Sequence, residues 1–357
     1  MTHGLAILCM LCLHLFCRLG ADVYGTPLVW LSTDKPLVYC FGFFAEICVP
    51  IYTICAGYAQ YLLWEQGKFT LRERIRRCLK LLKTYWIVVI LLSIFGLLAS
   101  RGEVKCFSEN QIPGSWSVFI KTLLLLHLYT GIWWYLRTYV ILLLLPHWIS
   151  TVPVQKVPCI AGVLGSLFLA MVWWLLFRFD WLTLSDKDAT VLSFLWRQFV
   201  KLCDVLPYFW IGGFLCKGKC IEKIDAFIDK QKYSKHRVWL GCLLILLLFL
   251  IANILHKAIL MGGIALLVFL AFNLMPKGNI FRTFFMFLGK HSTNIWLIHP
   301  FFYAERFGAL VRFAKYPVCI FIILFVFCII FSYIINGCLY LLNKFLVRLR
   351  QKCNLIS

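Results

Sequence analysis

The sequence predicts an all-α fold, a polytopic bundle of transmembrane helices, and three observations carry that prediction. Of 357 residues, 62% are apolar and only 14% are charged, where soluble domains carry about 45–50% and about 25%. Apolar runs of span length recur from end to end, and mean hydropathy is +0.86. Basic residues cluster in alternate connections between those runs. Together these exclude a soluble enzyme, a disordered chain and a nucleic-acid-binding domain. The net charge of +21 is explained by cytoplasmic loops rich in Lys and Arg, so no nucleic-acid partner is expected.

A hydrocarbon core about 30 Å thick takes about 20 apolar residues as a helix. On that ruler the chain divides into about ten spans, at 4–20, 37–64, 84–100, 131–149, 158–177, 198–216, 238–255, 258–275, 284–304 and 317–342. The loops after the second and sixth spans each hold seven Lys and Arg, and the tail holds four more. In all, 21 basic residues fall on this side against nine on the other. The heavier side is cytoplasmic, which puts both termini inside. Segment 117–130 is short and contains Lys121 and His127. As a full crossing it would carry the second basic loop outside, so it reads as an outer re-entrant or interfacial helix. Residues 4–19 also resemble a secretory apolar region, but no Lys or Arg precedes them and His14 and Arg18 interrupt them, so a retained span is expected. No repeat or separate soluble domain is visible, and residues 1–357 read as one membrane-embedded domain.

The 17 Cys lie mostly inside apolar runs, as small core residues in a reducing setting. Cys9 and Cys12 form a lone CxxC with no second pair to complete a metal site, and no metal is expected.

Ionisable side chains inside a membrane are costly and mark function by default. Helical rise places His14 about 15 Å from the inner face, Glu46 about 13 Å from the outer face, and Arg137 about 9 Å below the outer face. The first two spans are antiparallel neighbours, so His14 and Glu46 are expected at one level. A His–carboxylate pair is what general-base chemistry needs, the carboxylate fixing the tautomer and steadying the imidazolium. The bland alternative, that each group satisfies a buried neighbour, stays open. His299, Lys201 and Asp204 lie near the same outer level. On the inner side, Arg76, Lys80 and Lys83 share one helical face that suits phosphates, whether of coenzyme A or of membrane lipid headgroups.

Five segments, in order, resemble the acyltransferase-3 family of membrane acyltransferases. His3 to His14 resembles its opening helix, in which a basic residue precedes a His by about ten residues; His3 stands where Arg is usual. Phe43-Phe44-Ala-Glu46 through Gly57-Tyr58 is similar to a stretch ending in Ser-Gly-(Phe/Tyr), with Ala56 for Ser. Arg77-Cys-Leu-Lys80 through Tyr85 resembles Arg-x-x-Arg-Leu-x-Pro-x-Tyr, with Lys80 for the second Arg and Lys83 for Pro. Trp133-Trp134-Tyr135-Leu136 resembles the start of the next span. Gly289-Lys-His-Ser292-Thr-Asn294-Ile-Trp-Leu-Ile-His299-Pro300 resembles Gly-x-x-Ser-x-x-(Ile/Leu)-(Tyr/Trp)-Leu-x-His-x-Pro, the most specific of the five.

The resemblance implies transfer of an acyl group, commonly acetyl, from acyl-coenzyme A to a hydroxyl of a carbohydrate, with acyl-coenzyme A as co-substrate and no tightly bound cofactor. O-acetylation of a cell-surface polysaccharide or its precursor is the expected outcome. His14 is the implied base, and the depth argument adds Glu46 beside it. His3, Arg77 and Lys80 are donor-side candidates, joined by Arg76 from the basic face. Trp134, Tyr135, Arg137, Asn294 and His299 are candidates for orienting the acceptor or stabilising the oxyanion. Two rival classes remain: a transporter or flippase for polysaccharide precursors, and a membrane polysaccharide polymerase. Related halves with paired broken helices would favour the first and a large outer loop the second; neither is seen.

Overall fold

A computed structural model describes residues 1–17, 25–32, 35–99, 112–178, 191–231, 234–303 and 308–354. Of the basic residues that orient the chain, Arg101, Lys105, Lys187, Lys232 and Arg306 lie outside the described residues.

The described chain is helical apart from one antiparallel ribbon. Helix α1 (Thr2–Phe16) leads to β1 (Trp30–Ser32) and β2 (Lys35–Pro36). Then α2 (Leu37–Phe44), a tight turn Ala45–Ile47 and α3 (Cys48–Glu65) form one apolar length. Next come α4 (Leu71–Ala99), α5 (Trp116–Leu123), α6 (Trp134–Leu144), α7 (His147–Ser150) and α8 (Val152–Lys156). Then follow α9 (Cys159–Arg178), α10 (Val191–Lys217), α11 (Cys220–Asp229), α12 (Arg237–Leu255) and α13 (Met261–Leu274). Helices α14 (Asn279–Tyr303), α15 (Gly308–Arg312) and α16 (Pro317–Asn354) complete the chain.

Among the described residues, six lengths are long and apolar enough to cross a membrane: Leu37–Glu65, Leu71–Leu98, Cys159–Leu176, Val191–Lys217, Arg237–Leu255 and Pro317–Arg348. Thr2–Phe16, Gly131–Leu144 and Ala258–Leu274 are apolar but shorter. The expected fourth span, 131–149, is cut short because Pro146 cannot continue a helix; α6 ends at Leu144 and two one-turn helices follow. The expected third span starts earlier than hydropathy suggests, since the basic run and the apolar run form one helix, α4.

Segment 117–130 differs from a single interfacial helix. Only Trp116–Leu123 is helical, with Ser115 capping it through the Val118 amide. Leu125 then takes φ +60°, the Leu126 amide returns to the Lys121 carbonyl, and the chain reverses. Side chains of α4 hold the reversal in place. Tyr85 Oη donates to the Thr122 carbonyl at 2.7 Å, and Trp86 Nε1 donates to the Leu123 carbonyl at 2.9 Å. Eight helical residues rise about 12 Å, too little to cross.

Close backbone approaches fix the two pairings that matter for the site. At Gly57 on α3 a Cβ would overlap the Phe209 carbonyl of α10, so this crossing excludes any side chain there. At Gly4 a Cβ would overlap the Phe285 carbonyl of α14. That contact seats α1 along α14. Buried Ile7, Met10, Leu11 and Leu15 of α1 join Leu288, Ile295 and Ile298 of α14 in one apolar core.

Candidate active site

Seating α1 on α14 brings together the two histidines that the sequence singles out. The His14 and His299 rings lie 5.1 Å apart between centroids. Tyr303 stacks on both, at 6.1 Å from His14 and 5.9 Å from His299. His299 is fully buried. Its Nδ1 lies 2.8 Å from the Trp296 carbonyl and 3.2 Å from that of Ile295. A carbonyl only accepts, so Nδ1 carries the hydrogen and Nε2 the lone pair. That Nε2 is buried and has no hydrogen-bond partner. An unsatisfied buried acceptor costs about 1–3 kcal/mol, which makes it a place to look for chemistry.

Beside this pair is a cavity of about 260 Å³. One face of α1 lines it with His3, Met10, Leu13 and His14, so it follows that helix for eleven residues, about 16 Å of rise. The α3 side contributes Cys48, Val49 and Tyr52, and α14 contributes Ser292, Thr293 and Trp296. Trp134, Tyr135 and Tyr139 of α6 close it, with Leu81 of α4. Apolar and aromatic walls with a few convergent polar groups are the common form of a small-molecule site. Tyr135 Oη is fixed 2.8 Å from Thr53 Oγ1. The Tyr52 ring packs 5.5 Å from His3.

The candidate residues divide into those the cavity gathers and those it does not. His3, His14, Trp134 and Tyr135 line it, and His299 stands next to His14. Glu46 is placed elsewhere. It sits in the tight turn between α2 and α3. Its Oε1 accepts from the Cys17 thiol at 3.8 Å, nearly one turn of α1 beyond His14, and it is not among the cavity-lining residues. Asn294 faces α16 instead, donating to Ser332 Oγ at 2.8 Å and to Asn336 Oδ1 at 3.0 Å. Arg137 binds the Leu125 carbonyl through Nε and lies 5.1 Å over the Phe194 ring. It holds the α5–α6 reversal against α10.

The basic face of α4 is outside the cavity but adjoins it. Arg76 and Arg77 pair with Glu73 at 3.0 and 3.2 Å, the Arg76 side chain 78% exposed and that of Arg77 37%. Lys80 is exposed, while its neighbour Leu81 lines the cavity. Arg77 is half-buried and lies one turn before Leu81 on α4.

Sequence reasoning missed Tyr52, Tyr139, Ser292, Thr293 and Trp296 as site residues. A signal existed for two of them. Ser292, Trp296, His299 and Tyr303 recur at helical spacing, so the face of α14 that carries His299 also carries the cavity residues Ser292 and Trp296. The five motifs converge on this site from α1, α3, α4, α6 and α14. A family model described as an acyltransferase domain matches residues 3–337, nearly the whole chain. The chain belongs to the acyltransferase-3 family. No curated protein and no solved structure matches it. Family membership and the apolar helices together make it a membrane acyltransferase, and the match reaches from His3 past Asn336 to include every candidate residue.

Proposed function

We propose that this membrane acyltransferase moves an acetyl group from acetyl-coenzyme A to a hydroxyl of a carbohydrate, a cell-surface polysaccharide or its precursor. One observation carries the reading: a cavity extends along α1 from His3 near the N-terminus to His14 beside His299. Its 260 Å³ lies below the roughly 300–1,000 Å³ usual for ligand pockets. It suits a slender thioester arm better than a sugar chain. In this reading ten helices span the cell membrane as one domain, with both termini in the cytoplasm. The six long helices are joined by α1, α6, α13 and the 25-residue α14.

The donor enters from the His3 side, its phosphates against Arg77, Arg76 and Lys80 and its arm between Tyr52 and Leu81. The acceptor comes from the far end, past Trp134 and Tyr135. The acceptor oxygen attacks the thioester carbonyl as His14 takes its proton. The carbon–oxygen bond forms, the tetrahedral centre collapses, and the carbon–sulfur bond breaks. The coenzyme A thiolate leaves and recovers the proton from the His14 imidazolium. The lone pair on His299 Nε2 stabilises that imidazolium, the part assigned from the sequence to Glu46.

Filling the cavity tests the path. Val49→Trp should leave the detergent-purified protein folded and monodisperse while eliminating coenzyme A release from acetyl-coenzyme A. Unchanged release would remove this cavity from the donor path.

A further inference from the structure

The His14 end of the cavity carries positive charge that the transfer step does not use. Trp133 Nε1 donates to the Leu297 carbonyl at 3.0 Å, which puts the start of α6 at the level of His299. Arg137 lies one turn into α6, over the ring of Phe194 on α10, and Lys201 follows Phe194 two turns along α10; both cations are half-buried. The Lys201 ammonium lies 5.7 Å over the Trp134 ring, and Trp134 is itself a wall of the cavity. Among the described residues neither Arg137 nor Lys201 forms an ion pair with a carboxylate. Half-buried like charges cost free energy unless a counter-charge arrives.

We infer that Arg137 and Lys201 receive an anionic group of the acceptor, and that the acceptor is an acidic carbohydrate of the uronic acid class. This rests on the acyl-transfer reading and narrows its substrate. Placement argues for a sugar acid over a lipid headgroup. Lys201 sits in the α6–α10 seam against an aromatic ring that faces the cavity, where a sugar face can stack on Trp134 while its carboxylate meets the ammonium. A cation serving only lipid phosphate would extend along the lipid-facing surface. Charge-assisted contacts are about twice as strong as neutral ones, so a carboxylate-free sugar is disfavoured.

The test uses the full chain in phosphatidylcholine nanodiscs, titrated with labelled hexagalacturonate and with neutral maltohexaose. The variants are Lys201→Gln and, to retain the charge, Lys201→Arg. Wild type should bind the acidic probe about tenfold more tightly or better, with affinity falling as salt rises. K201Q should lose about tenfold and K201R should keep most of the preference. Equal affinity for the two probes, or a preference that K201Q leaves intact, would overturn the proposal. So would a preference abolished by phosphatidylglycerol in the nanodisc, which would make a lipid phosphate the occupant. Acetyl-coenzyme A binding is measured on the same preparation. Its absence beside an intact acidic preference would overturn the transfer reading while supporting the anion site.

Discussion

His14 and His299 come from opposite ends of the chain and meet with ring centroids 5.1 Å apart, and their chemistry is set by one hydrogen-bond choice. Because His299 Nδ1 is committed to backbone carbonyls, its Nε2 can only accept. His299→Leu keeps the bulk and deletes that lone pair. It should lower kcat about tenfold to a hundredfold with little change in the KM for acetyl-coenzyme A, the pattern of an interaction made in the transition state; a raised donor KM with normal kcat would contradict that role. Asn294 gives the opposite expectation. Asn294→Leu removes its bonds to Ser332 and Asn336 and should lower thermal stability by about 1–3 kcal/mol while donor KM is unaffected. A folded Asn294→Leu protein that has lost transfer would return Asn294 to the acceptor site. His14 and His299 were legible in the sequence because ionisable groups inside apolar runs are rare. The placement of Glu46 beside Cys17 was not, since it depends on how the second helical length packs against α1, to which hydropathy is blind.

Helix α4 carries a donor-side prediction at the scale of an element. It joins a basic face to an apolar length without a break, so Arg77 and Leu81 are one turn apart on one rod. Arg77→Gln should raise the KM for acetyl-coenzyme A about tenfold, the worth of one charge-assisted contact to phosphate, with kcat retained. An unchanged KM would leave that face to topology or lipid binding. The α3–α10 crossing is the packing counterpart. Gly57→Leu puts a side chain where the Phe209 carbonyl stands and should cost about 1–3 kcal/mol or more, read as a lower melting temperature in detergent. A Gly57→Leu protein as stable as wild type would show that the crossing relaxes freely. Hydropathy made the spans legible to within a few residues where runs are long, as at Arg237–Leu255. It failed at the α5–α6 reversal. There the outcome depends on Tyr85, Trp86 and Arg137 binding backbone carbonyls, contacts that no periodicity announces.

For the whole molecule, the proposed function makes the cavity along α1 the place where donor and acceptor meet. Family and fold class were legible because the motifs and apolar runs are local in sequence. The cavity was not, because its walls come from five helices spread over the chain. A fluorescent protein fused after residue 357 should fold and fluoresce if the C-terminus is cytoplasmic, and a dark, exported fusion would reverse the orientation. The central claim is that acyl transfer is carried out from His14. The measurement that tests it most directly is coenzyme A release from acetyl-coenzyme A by purified wild type and His14→Ala, with membrane-derived glycans as acceptor. Turnover by wild type, lost in a His14→Ala protein of unchanged melting temperature, is the predicted result. Equal turnover by the two proteins would contradict it.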